Sequence, residues 1–380
     1  MNAGNSTAPP AIDEVEVSLF GPGFGESIVI HLGFNEWLIV DSCIEGNLKT
    51  PAPLNYLRRI GVDPSQAVKL IVATHWHDDH VGGLAEVFKR CISAKFVCSG
   101  ALNSDEFFTL ADALGARSLM NSSGVDEFYK IMQLLQERHQ GRIASITPEW
   151  AVADRLLLQR TADALPYQIH SLSPSSGSIA LAHAEIAPLV PTGTRQPSQR
   201  KKRLVSLRPN HTAVVLWVRV GDLQVLLGSD LEETGDARTG WTVIVDSTTR
   251  PSGRATVIKV PHHGSRNGDQ PRVWAEMLDD SPVAVLTPFS SGGVSLPTKA
   301  DADRICRRTD NAYASAVVRQ RSVRRPRAVD RTIKEVTRSI RVISGESGQV
   351  RLRSNASGQG GWTIDLFGNA LPLAKLASAM

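Results

Sequence analysis

Thr74-His75-Trp76-His77-Asp78-Asp79-His80-Val81-Gly82-Gly83 is the stretch on which the reading of this chain turns. The chain has only ten histidines, and three of them sit here beside two aspartates. The apolar run Val68–Ala73 precedes it and has the composition of a buried strand. A buried strand that ends in a polar cluster is costly unless something binds there. Imidazole and carboxylate together suit zinc, manganese or iron. Side chains two apart on a strand point the same way, so His75 and His77 can hold one ion. Asp79 and His80, one turn further on, can hold a second. Gly82-Gly83 lets the backbone turn closely beneath them. The helical run Leu84–Arg90 follows.

Two later segments add polar strand ends. Val225-Leu-Leu-Gly-Ser-Asp230 closes on an aspartate, and Val257-Ile-Lys-Val-Pro-His262-His263-Gly264-Ser265 closes on two histidines. Further strands are expected at 15–20, 27–32, 36–40, 167–172, 213–220, 223–227, 256–260 and 282–287, with a terminal pair at 349–353 and 362–367. Residues 101–165 read as a helical insertion. Phe128, Ile131, Met132, Leu134 and Leu135 recur at helical spacing, and Val152–Arg160 does so more weakly. Such an insertion is expected to cover part of the cleft mouth. Strand and helix segments mix throughout, so the class is α/β or α+β.

Composition narrows the function classes. At 42% hydrophobic and 21% charged, the chain is neither disordered, collagenous nor a coiled coil. No apolar run is long enough to span a membrane, and residues 1–12 lack the basic and apolar parts of a secretory leader. Four dispersed cysteines form no disulfide framework. A soluble cytoplasmic protein is the expectation. The net charge of +4 is uneven. Residues 304–341 hold twelve Lys or Arg against three acids, or +9, so the rest sums to −5. Arginine dominates, and Arg321, Arg324, Arg325 and Arg327 are the candidate nucleic-acid contacts.

The order His-x-His-x-Asp-His, then Gly-x-Asp, then a late His resembles the metallo-β-lactamase fold superfamily. Within it the chain is most similar to the hydrolase domain of the DNA-uptake protein ComEC and its soluble relatives. The Gly-rich loop Gly21–Ser27, the segment Asn210–Asp230 and Val260–Ser265 carry that likeness. It implies a four-layer αββα sandwich over about residues 14–303; the basic extension, 304–380, with its terminal strand pair, is expected to pack on the same domain. It implies two divalent ions, zinc or manganese. His75 and His77 would hold the first, Asp79 and His80 the second, and Asp230 would bridge them. His262, in preference to His263, would complete the second ion. His211 is a candidate third ligand for the first. Asp41 would buttress the site from behind, and Glu26 stands where relatives often carry an aspartate. The implied chemistry is hydrolysis by a metal-bridging hydroxide oriented by Asp79.

Two departures from the pattern bear on the substrate. Gly228-Ser229-Asp230 is one residue longer than the family's Gly-Asp. The late segment Ser290–Thr298 lacks the histidine that relatives place opposite the scissile group, with Lys299 as a stand-in. The expected function is a phosphodiesterase or nuclease. The alternatives are a hydrolase of a small ester, lactone or amide, and a nucleic-acid-binding or scaffold protein with a structural metal site.

Overall fold

A computed structural model describes residues 7–21, 25–45, 50–103, 124–141, 148–161, 165–187, 208–291, 293–317, 326, 329, 331–332 and 347–380. Two eight-stranded sheets dominate it. The first contains β1 (Glu14–Gly21), β2 (Ser27–His31), β3 (Trp37–Val40), β4 (Val68–Ala73), β5 (Lys95–Ser99) and β6 (Glu149–Ala151). The second contains β7 (Arg155–Arg160), β8 (Tyr167–Ser171), β9 (Leu216–Val220), β10 (Leu223–Leu227), β11 (Ala255–Lys259), β12 (Leu278–Leu286) and β13 (Ala312–Ala314). The C-terminal strands divide between them. β14 (Gly348–Asn355) and β15 (Thr363–Gly368) extend the first sheet, giving the order β15-β14-β1-β2-β3-β4-β5-β6. β16 (Leu371–Pro372) joins the second, which runs β16-β13-β12-β11-β10-β9-β8-β7.

Alternation along these strands builds three cores. Val15, Val17, Leu70 and Val72 of the first sheet face Val225, Leu227, Val257 and Val285 of the second. Their neighbours Ile71 and Ala73 point the other way, toward α1 (Ala52–Arg59), α2 (Leu84–Arg90) and α3 (Gly124–Gln140). Leu226, Ile258 and Ala284 point away from the first sheet, against α4 (Gly240–Asp246), α5 (Pro271–Glu276), α6 (Lys299–Cys306) and α7 (Leu373–Ala379). The layers are therefore helix, sheet, sheet, helix, each sheet buried on both faces.

Part of the stretch 101–165 differs from its expectation. Val152–Arg160 is not helical, because Arg155–Arg160 pairs antiparallel with β8 and forms an edge of the second sheet. Glu149–Ala151 likewise forms an edge of the first. The helix α3 lies in the outer helical layer. It buries Phe128, Ile131 and Leu135 in the outer core with Phe88 and Phe96, and Arg138 lies over the Phe88 ring and donates to the Cys91 carbonyl at 3.2 Å. Its first residue meets the histidine motif, where Gly124 N–H donates to Asp78 Oδ1 at 2.6 Å. Residues 104–123 and 142–147 lie outside the described residues. Among the described residues no helix is long and apolar enough to cross a membrane.

Candidate metal centre

Four strand ends converge at one edge of the sandwich. β3 delivers Asp41, β4 delivers the histidine motif, β10 delivers Asp230, and β11 delivers His262 and His263. Of the seven non-glycine residues with positive φ among the described residues, four sit here: Asp41, Ser229, His262 and His263. Backbone held in that region costs about 1–3 kcal/mol per residue and persists where the surroundings over-determine it. Ser229, at φ +46°, absorbs the extra residue of Gly228-Ser229-Asp230. Its carbonyl then accepts from His262 N–H at 3.0 Å and from Lys259 Nζ at 2.8 Å.

Asp79, His80, Asp230 and His263 each offer a donor atom, and all four atoms lie within 4.8 Å of one another. All four residues are buried. His80 Nδ1 lies 2.7 Å from Asp41 Oδ2. His263 Nδ1 lies 2.9 Å from the Thr287 carbonyl, and Phe289 stacks on its ring at 5.1 Å. Both partners are acceptors, so both Nδ1 atoms carry the hydrogen and both Nε2 lone pairs face the centre. Neither Nε2 makes a hydrogen bond, although each is buried. They stand 3.4 Å and 3.1 Å from Asp230 Oδ2. Two buried imidazole lone pairs beside two carboxylates are a donor set that fits a divalent transition-metal ion.

The electrostatics agree with that fit. Burial alone would lower the His80 and His263 pKa values. The carboxylates of Asp230 and Asp79 outweigh it and, with Asp41 acting on His80, hold His80 well above the ordinary imidazole range and His263 at about 10. Burial would raise Asp79 and Asp230, yet the two imidazoles outweigh it and hold both below the usual carboxylate range, with Lys259 adding to the effect on Asp230. The centre thus attracts positive charge, whether protons or a metal ion. By contrast, burial lowers His75 well below its ordinary value and also lowers His77.

The other candidates take varied places. The His75 ring lies 4.2 Å from that of His80, and its Nε2 lies 3.1 Å from His77 Nδ1. This pair adjoins the four-residue cluster without belonging to it. Asp41 accepts from Thr74 N–H at 2.8 Å, from Thr74 Oγ1 at 2.7 Å and from His80, so it clamps strand end to imidazole. Glu26 is buried behind the cluster, its N–H donating to the Asp79 carbonyl at 2.8 Å. That approach requires Gly25 (φ +101°), where a Cβ would sit 2.7 Å from Cys43 Cβ. His262, preferred from the sequence, turns away from the cluster: its Nδ1 is 3.5 Å from Glu232 Oε1 and its Nε2 3.3 Å from Asn210 Nδ2. His263 takes the place expected for it. His211 sits with that outer group, 3.6 Å from Glu232 Oε2. Lys299 is exposed and paired with Asp303 at 2.8 Å. Arg321, Arg324, Arg325 and Arg327 lie outside the described residues. Sequence reading passed over Glu232, Phe289 and Lys259. Only Lys259 carried a signal, as the one charge in an apolar strand.

Residues 20–183 match the model of the metallo-β-lactamase superfamily. Among solved structures, similar ones include the metallo-β-lactamase fold protein YhfI from Bacillus subtilis, at 13% identity over 65% of this chain and 70% of that one, TM-score 0.29. BJP-1, a subclass B3 metallo-β-lactamase of Bradyrhizobium japonicum, is 16% identical over 74% of this chain and 88% of its own, TM-score 0.33. MEM-A1, a subclass B3 enzyme from a soil metagenome library, is 14% identical over 69% and 83%, TM-score 0.31. No curated protein matches the chain.

Proposed function

We propose that this chain is a metal-dependent hydrolase that cleaves phosphodiesters, as a nuclease or phosphodiesterase. The observation that carries the metal-dependent part is the pair of inward Nε2 lone pairs on His80 and His263, each fixed by an acceptor behind it. His75 and His77 would hold one ion, Asp79, His80 and His263 another, with Asp230 shared. Zinc or manganese there would supply a water of lowered pKa and a positive clamp on the substrate oxygen. Asp79 is the most exposed of the four clustered residues, at 7%. That exposure supports Asp79 as the residue that would orient an attacking water. Asp41 holds the His80 ring, and Phe289 holds that of His263.

The phosphodiester part rests on the ComEC-like motifs and on the basic stretch, whose Arg321, Arg324, Arg325 and Arg327 would draw in a polyanion. One observation favours the small-ester reading. Arg304 donates to Asp301 and to the Gly264 carbonyl at 2.5 and 2.7 Å, and Arg308 lies 3.4 Å from Asp269 and over Trp274. These two arginines serve the fold. The test is turnover of bis(p-nitrophenyl) phosphate and single-stranded DNA, against p-nitrophenyl butyrate, with Mn²⁺ or Zn²⁺. Metal-dependent cleavage of the first two is expected. Cleavage of the carboxylic ester alone would establish the second reading. Metal binding without any turnover would point to a structural metal site.

A further inference from the structure

Lys259 is fully buried at the end of β11, four residues before His263. Its ammonium has three donors and meets three acceptors: Glu26 Oε1 at 2.7 Å, the Ser229 carbonyl at 2.8 Å and Asp230 Oδ1 at 3.3 Å. A buried lysine is costly unless its charge is paired and its donors are satisfied, and here both conditions are met. The two oxygens of Asp230 therefore have separate surroundings. Oδ1 meets the ammonium, while Oδ2 faces His80 Nε2 at 3.4 Å and His263 Nε2 at 3.1 Å.

We propose that Lys259 is a positioning residue for the candidate metal centre, occupying Asp230 Oδ1 so that this carboxylate offers the ions one oxygen, Oδ2, in a fixed direction. Glu26 completes the device: it pairs with the ammonium at 2.7 Å and is itself tied by its N–H to the Asp79 carbonyl. The lysine thus links the backbone of one candidate ligand to the side chain of another. The inference rests on the reading that the cluster binds divalent ions.

The test is the double variant Lys259→Met with Glu26→Gln. It removes one cation and one anion, so the formal charge of the pocket is unchanged and a loss of metal affinity reports geometry rather than net field. The readouts are Mn²⁺ binding by calorimetry, the visible spectrum of the Co²⁺-loaded protein, and thermal unfolding of the metal-free protein. The expected result is a folded protein with Mn²⁺ affinity reduced at least about tenfold and an altered Co²⁺ spectrum, in the range found for loss of groups that orient ligands. Wild-type affinity and an unchanged spectrum would overturn the inference while leaving the hydrolase reading in place. Should the double variant not fold, Lys259→Arg serves. It keeps the charge but replaces the compact ammonium with a planar fork, and the same loss is expected, with wild-type binding again overturning the proposal. A wild-type protein that binds neither ion would instead remove the metal-dependent reading and this inference together.

Discussion

His263 Nε2 lies 3.1 Å from Asp230 Oδ2, while the preceding residue, His262, directs its ring to Glu232, 3.5 Å away. Both residues have positive φ, near +50°, and that tight left-handed turn sends adjacent imidazoles in different directions. His263→Ala should therefore reduce Mn²⁺ or Zn²⁺ affinity by more than about 100-fold, beyond the roughly 10–100-fold typical of losing an outer partner. His262→Ala should leave the affinity of the four-residue cluster within about tenfold of wild type. Calorimetric titration of both variants decides between the two histidines.

Asp41 acts one step back. Asp41→Asn keeps the shape but exchanges one acceptor oxygen for a donor amide, so either the Thr74 N–H contact at Oδ1 or the His80 contact at Oδ2 must be lost. Metal affinity is expected to fall about 10–100-fold. Elemental analysis after dialysis against a weak chelator would show it, and full retention would remove Asp41 from the supporting role.

The placement of α3 in the outer layer makes a prediction about stability rather than access. Phe128 is 1% exposed and meets the Phe96 ring edge-on at 6.4 Å. Phe128→Ala should cost about 3–5 kcal/mol of folding stability. Denaturant unfolding measures this, and substrate KM in the surviving folded fraction should stay the same. A KM change without destabilisation would support the covering role expected from the sequence.

His31 supplies a pH dependence away from the centre. Its Nδ1 donates to the Glu14 carbonyl at 2.7 Å, and its Nε2 accepts from Asn35 N–H at 3.1 Å, so only the neutral ring satisfies both. Burial lowers its pKa from 6.5 to about 4. Below pH 6.5 the unfolded chain takes up a proton that the folded chain refuses. The contribution is therefore complete above pH 6.5 and is lost as pH falls toward 4, on the order of 3 kcal/mol in all. Unfolding midpoints across that window should fall less steeply in His31→Gln than in wild type.

The basic stretch carries the partner prediction. Single-stranded DNA binding should weaken with salt at a slope of about −0.7 per phosphate neutralised. Replacing Arg324, Arg325 and Arg327 by Gln should flatten the slope and leave metal content unchanged. Fluorescence anisotropy at several salt concentrations measures it. Salt-independent binding would reduce the stretch to a surface feature.

Much of the fold was legible because both sheets are buried on both faces, so strands such as Val68–Ala73 and Leu223–Leu227 appear as apolar runs with polar ends. The histidine motif was legible because polar residues at such an end need a reason to be there. Arg155–Arg160 was not. As an edge strand it pairs on one side only, leaves Leu156 39% exposed, and shows no alternation to separate it from a helix. The choice between His262 and His263 depended on a left-handed turn built from residues that are not glycine. Lys259 stood in plain view, but its partners Glu26 and Ser229 are distant in sequence, and only the folded chain brings them together.

The pairing of β1 with β14 sets a timetable for synthesis. Glu14 lies opposite Asn355, and Gly21 opposite Gly348, so β1 hydrogen-bonds to a strand made about 330 residues later. Until then, Val15, Val17 and Leu19 belong to a strand with one flank unpaired, and the buried Glu16 lacks Arg353, which lies 2.8 Å away in the finished structure. The nascent chain must carry that open edge until β14 is made, a period in which pairing with another copy competes with its own completion.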